Sequence, residues 1–241
     1  MQSHVKVWVR RLIAATCVCA AGGLHAADPV TEAIQLANAP YRMALFKTNG
    51  TSQPEALQAL LQAQTAWDKL AQQFAAKVPA PYDRDDTFGA SVVAVTKVYA
   101  KALTEINTGD LKAAHNTLED ARDIMSDLRK RNQVVVFSDH MNAYHEVMEH
   151  VMADGAATLA KSQGMQQLAL QVGALRYTAE RLRTQAPATL TQNPEFMALL
   201  QAVQQSVALL EAAVLNQDST AAKEAIGKLK GPYSKLFAKF G

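Results

Sequence analysis

Cysteine is almost absent from this chain: there are two, Cys17 and Cys19, both within the first 27 residues. Once that segment is removed, no thiol remains. This excludes structural disulfides, zinc–thiolate centres, a cysteine nucleophile and covalently attached c-type haem together. Long apolar runs are missing as well. The run Leu12 to Gly22 falls well short of the roughly 20 residues that span a bilayer. An excess of one charge is also lacking. All 22 acidic residues lie at or after Asp28, and Lys6, Arg10 and Arg11 account for three of the 24 basic ones, so the chain from Asp28 onward is close to neutral. A nucleic-acid partner needs a basic face, and none is indicated. Strand patterns are scarce too, with Val134 to Phe137 the one short β-branched run.

The N-terminus reads as a secretory signal. Lys6, Arg10 and Arg11 form a positive start, Leu12 to Gly22 the apolar run, and Leu24-His25-Ala26-Ala27 a small-residue cleavage site. The expected organisation is a signal peptide at 1–27, an N-terminal helical bundle at 28–133 and a C-terminal bundle at 138–241. That implies export to the periplasm, with no membrane span in the mature chain.

Helical period dominates the rest. Apolar residues alternate by threes and fours in four stripes: Phe88, Val92, Val95, Tyr99, Leu103 and Ile106; Leu111, Ala114, Leu118, Ala121, Met125 and Leu128; Phe196 to Val214; and Ala222 to Phe240. Such seams suit helices crossing at small angles. Breaks fall at Asn49-Gly50, Val78-Pro79-Ala80-Pro81, Thr108-Gly109-Asp110, Asn193-Pro194 and Asn216 to Ser219. Gly231-Pro232 is expected to kink the last helix. Val134 to Phe137 reads as an extended connector, with Ser138 capping the helix after it. The fold class is therefore all-α: tandem antiparallel, up-and-down four-helix bundles with seven to eight helices.

The two halves also align weakly. With Asp110 set on Asp218, Leu118 meets Ile226, Leu128 meets Leu236, and Phe88 meets Phe196; near the starts, Asn38-Ala39 matches Asn142-Ala143. This reads as a duplication of a unit of about 100 residues. A single array of seven or eight helices is the alternative.

Each half resembles the small periplasmic four-helix cytochromes, both the b-type bundle and the cytochrome c-prime type. The likeness lies in export, helix length, the short turn before the last helix and the aromatic end Tyr233 to Phe240. The resemblance implies a four-helix fold and haem. The haem-binding residues are missing: there is no Cys-x-x-Cys-His, and no His late in either last helix, where Arg129 to Asn132 and Phe237 to Phe240 stand. Only the first b-type ligand has counterparts, Met43 and Met148.

One stretch carries distinctive chemistry. Asp139 to Met152 holds three of the four histidines that follow residue 28: His140, His145 and His150. His145 and His150 are five apart, about 140° around a helix, too far for one zinc ion to take both. Glu146 and Glu149 lack a His three residues on, so the di-iron pattern fails too. Met141, His145, Met148 and Met152 fall within an arc of roughly 60°. Thioethers with an imidazole suit Cu(I), and Glu149, four residues after His145, adds a harder donor. The same helix supports a plainer reading, because Phe137, Met141, Tyr144, Met148 and Val151 form an ordinary core seam with Met as filler. His115 stands alone and reads as a surface residue. Arg129-Lys130-Arg131 reads as a basic cluster at a helix C-terminus, where cations are favoured.

Three functional expectations follow, none of them catalytic. The first is an exported bundle binding a metal ion, copper favoured, through Met141, His145, Met148, Glu149 and Met152. The second is a structural or protein-interaction module of the cell envelope without cofactor. The third is a haem carrier.

Overall fold

The computed structural model describes residues 28–241; the predicted signal segment lies outside the described residues. Local sequence explains most helix ends. Helix α1 (Pro29–Thr48) starts at Asp28, whose carboxylate accepts from the Thr31 N–H, satisfying one of the orphan donors of a first turn. Helix α2 (Gln53–Gln73) carries Pro54 in its first turn, where a missing N–H costs nothing. A 3-10 turn at Tyr82–Arg84 leads to α3 (Phe88–Asn107). The turn into α4 (Leu111–Arg131) places Gly109 at φ +83, a left-handed conformation that favours glycine, and Asp110 caps α4 through the Ala113 N–H. Then follow α5 (Phe137–Leu159), α6 (Gly164–Thr184), the single turn α7 (Ala188–Thr191) and α8 (Pro194–Leu215). The last stretch is α9 (Ser219–Gly227) and α10 (Lys230–Phe240). No strand occurs among the described residues.

Two of these ends differ from expectation. The last helix does not kink at Gly231-Pro232; it breaks at Lys228-Leu229. Pro232 thereby falls in the first turn of a new helix, where its ring is tolerated. Helix α5 begins one residue before Ser138, with Val136 as N-cap, and the Asp139 carboxylate accepts from the Val136 N–H at 3.0 Å.

Helices α1 to α4 close a ring in which each packs on the next and α4 returns to α1. Helices α5, α6 and α8 with the α9–α10 pair close a second ring. The first interior is filled by Tyr41, Trp67 and Tyr99, all within 1% exposure, with the Trp67 ring edge-on to Tyr99 at 6.4 Å. The second is filled by Met141, Tyr144, Met148, Leu175, Phe196 and Leu236, each fully buried. Burying one such side chain contributes about 1.5–3 kcal/mol. Aromatic polar atoms tie neighbouring helices: Trp67 Nε1–H donates to the Val92 carbonyl at 3.0 Å, the Tyr41 hydroxyl to Leu118 at 2.9 Å, and the Tyr233 hydroxyl to Met141 at 3.1 Å.

Positions paired by the internal alignment play matching parts. Asp110 and Asp218 both cap helices, and Phe88 and Phe196, Leu118 and Ile226, and Leu128 and Leu236 are all buried. The rings meet where α1 packs on α10 and where α4 faces α5 across the 132–136 connector. On the α1 side, the Gly241 carbonyl accepts from Asn38 at 3.3 Å and from Arg42.

Candidate functional site

The α4–α5 side of the seam holds the chemistry. These two helices run antiparallel from their connector, so residues about two turns apart on each form successive rungs. Nearest the connector, Arg129 is 4% exposed and Asp139 18%, and they form a bidentate pair: Arg129 Nε lies 3.1 Å from Oδ2 and Nη2 2.5 Å from Oδ1. Ser126 Oγ–H also donates to this carboxylate, at 3.2 Å. Asp139 therefore caps α5 and joins the two rings at once. The other arginine of the predicted basic cluster, Arg131, pairs with Asp85 at 3.1 Å. Asp85 is held down to about 2; burial opposes that shift, and hydrogen bonds from Thr87 and Asn132 with the Arg131 charge outweigh it.

The next rung joins Arg122 to His145. Arg122 Nη1 lies 2.7 Å from His145 Nδ1, and His145 Nε2 lies 3.2 Å from Glu149 Oε1. The imidazole stacks on Tyr233 of α10 at 5.3 Å and 8°. Lys230 reaches the same Glu149 oxygen at 3.2 Å. The hydrogen bond from His145 and the Lys230 charge hold Glu149 down to about 2. Arg122 also touches Glu119 at 3.6 Å and Asp123 at 3.0 Å.

His115 is not the surface residue its isolation in sequence implied. It is buried, with Nδ1 3.0 Å from the Leu45 carbonyl and 3.3 Å from Thr48 Oγ1, and Nε2 3.2 Å from Asn49 Nδ2. A carbonyl only accepts, so Nδ1 carries the proton. Burial lowers its pKa, with Glu119 partly opposing. No pattern in the sequence announces this, because the partners come from the last turn of α1 and its C-cap Asn49, some 67 residues away.

Together these rungs line a cleft of about 870 Å3 between α4 and α5. Glu119, Asp123, Asp127, Asp139, Glu146 and Glu149 supply six carboxylates against three cationic side chains, Arg122, Lys130 and Lys230. His115, His145 and the exposed His150 line it too. A separate apolar groove of about 630 Å3 lies between α1 and α2, beside Leu36 and Leu61.

The five residues expected to bind metal are divided between two environments. Met141 and Met148 are fully buried in the second ring, and Met152 packs half-buried against the same core. His145 and Glu149 instead face the seam, where Arg122 holds one imidazole nitrogen and Lys230 shares the carboxylate. The arc they share on α5 straddles the edge of its buried face. The fold thus makes no single ligand set of them, and two fixed cations already occupy the accessible donors. Among the described residues, no group of three or more His, Asp or Glu side chains is arranged to hold a metal ion. Haem does not fit either. Met148 is sealed in the core, no histidine faces it from α10, and aromatic side chains fill both interiors.

Comparison with protein-family models, with curated proteins and with solved structures gives no match.

Proposed function

We propose that the protein is a non-enzymatic binding module of the bacterial cell envelope, exported to the periplasm, that takes a positively charged organic ligand in the α4–α5 cleft. The export part rests on Lys6, Arg10, Arg11, the Leu12 to Gly22 run and the Leu24 to Ala27 cleavage site. The binding part rests on one observation. Both ring interiors are filled by side chains, whereas the seam keeps a roomy open cleft whose carboxylates outnumber its cations two to one. A concave site with an excess of one sign concentrates ligands of the other. Asp127 and Glu146 on its walls are the carboxylates for an incoming cation to meet, since Asp139 and Glu149 are already engaged with Arg129 and Lys230.

The test uses spermidine as a probe cation in calorimetric titration, with an oligo-glutamate peptide as the anionic control. Spermidine is expected to bind, more weakly as salt rises, and at least tenfold more weakly to the Asp127→Asn, Glu146→Gln double variant. Equal binding by wild type and variant, or preference for the anionic peptide, contradicts the reading.

A further inference from the structure

The rings join through α1, α4, α5 and α10, which leaves α6 and α8 on the outer side of the second ring. Helix α8 is apolar enough, by length and composition, to cross a membrane, yet only 39% of its most apolar stretch is buried. Its seam from Phe196 to Val214 faces the ring interior. Opposite that seam, within an arc of about 120° on the helix wheel, Met197, Ala198, Gln201, Gln205, Ala208 and Leu209 are all exposed and none is charged. The helix has two charged residues, Glu195 and Glu211. Each is paired inside the molecule, Glu195 with Lys239 and Glu211 with Arg176 at 3.3 Å. A surface helix normally turns charged side chains to water on this face.

The order of this outward stripe is a palindrome. Met197 and Leu209, Ala198 and Ala208, and Gln201 and Gln205 lie at equal steps either side of Val203. Packing within one chain makes no such demand on an outward face. A two-fold pair does: residue i of one copy meets residue j of the other, and j meets i. With the helices antiparallel and the axis level with Val203, Gln201 of each copy lies beside Gln205 of the other, and Ala198 of each beside Ala208 of the other.

We propose that the outward face of α8 docks antiparallel on the same face of a second copy of this chain, forming a two-fold dimer on the side away from the cleft. A glutamine amide carries both donors and an acceptor, so the central pairs satisfy each other. In lipid the same amides lose water and gain no partner, which is unfavourable. The small Ala198 and Ala208 let the two backbones approach, with Met197 and Leu209 on the flanks. Glu195 and Glu211 come level across the axis, and each is already neutralised within its own copy. Leu170 on the neighbouring α6, 78% exposed, widens the apolar surface. Helix α8 has 22 residues and is about 33 Å long. With α6 beside it the face is about 20 Å wide. Two copies then remove roughly 1,300 Å² from water, within the roughly 1,200–2,000 Å² of specific stable interfaces. No cleft residue takes part, so the dimer and the ligand reading stand or fall separately.

The test uses the chain from Asp28 onward, which holds every described residue and no cysteine. In sedimentation equilibrium its mass is expected to rise twofold with concentration. Gln201→Lys, which brings a lysine from each copy close to the axis, is expected to leave monomer. Adding Gln205→Glu gives each lysine a carboxylate on the other copy and is expected to restore the dimer. Oxidative cross-linking reads the register. The Ala198→Cys, Ala208→Cys chain is expected to link two copies, and either single variant is not. Within one chain these positions are about 15 Å apart along the helix, beyond the roughly 7 Å that a disulfide spans between Cα atoms. A constant monomer mass, a dimer indifferent to Gln201→Lys, no rescue by Gln205→Glu, or single variants that link as readily as the double overturns the proposal. So does a monomer that sediments with phosphatidylglycerol vesicles, since lipid then covers the face.

Discussion

Replacing Asp139 by alanine removes a carboxylate that accepts from Arg129, Ser126 and the Val136 backbone. The guanidinium left behind is 4% exposed, so water cannot take over. Breaking a buried ion pair from one side costs about 3–5 kcal/mol, and the uncapped Val136 N–H adds about 1 kcal/mol. A loss of about 5 kcal/mol lowers the melting temperature of a chain this long by roughly 10–20 °C. The assay is urea unfolding of the protein from Asp28 onward. Trp67 fluorescence follows the first ring and far-UV circular dichroism follows both rings. An Arg129→Met, Asp139→Leu double variant isolates the cause, because an apolar pair of similar volume leaves no orphan charge and costs far less. A loss below about 1 kcal/mol for Asp139→Ala, or an equal loss for the apolar pair, refutes the reasoning.

Acid should weaken the fold through His115. Its folded pKa lies below the ordinary histidine value of 6.5, so the unfolded chain binds the proton more readily. The stability it contributes is present above about pH 6.5 and is lost as pH falls towards the folded value; a His115→Gln protein should show a flatter profile between pH 7 and pH 5, and an identical slope refutes this. Competition titration with Cu(I) chelators should give wild type and the His145→Ala, Met148→Ala variant the same weak affinity, since Met141 and Met148 are sealed in the core; a tighter wild type restores the copper reading. At Gly155 a Cβ would sit 2.7 Å from Ile226 Cδ1, so Gly155→Val should overpack the α5–α9 contact and cost about 1–3 kcal/mol in denaturant unfolding. No loss there means that the Ile226 side chain turns aside to make room.

The helices and most of their ends were legible from local pattern. The stripe from Ala114 to Leu128 is buried as its spacing predicts, and Asp110, Asn193 and Asp218 cap where short polar residues precede apolar period. The seam was not legible. Arg129 reads in sequence as part of a basic helix end because its partner, Asp139, lies beyond the connector on the next helix. His115 looked isolated because the residues that cover it belong to another turn. The stripe of Met141, Met148 and His145 was ambiguous in principle: one periodicity serves a ligand set and a core equally well, and only the packing of α10 against α5 separates the thioethers from the imidazole. The break at Lys228-Leu229 escaped because Pro232, the visible signal, marks the first turn after a break rather than the break itself.

The central claim is that the α4–α5 cleft receives cations, and amide chemical-shift mapping of the protein during spermidine titration tests it most directly. The predicted result is a set of shifts confined to residues 115–130 and 139–153 and to Lys230, saturating together. Shifts scattered over the surface, or gathered on the α1–α2 groove around Leu36 and Leu61, contradict it.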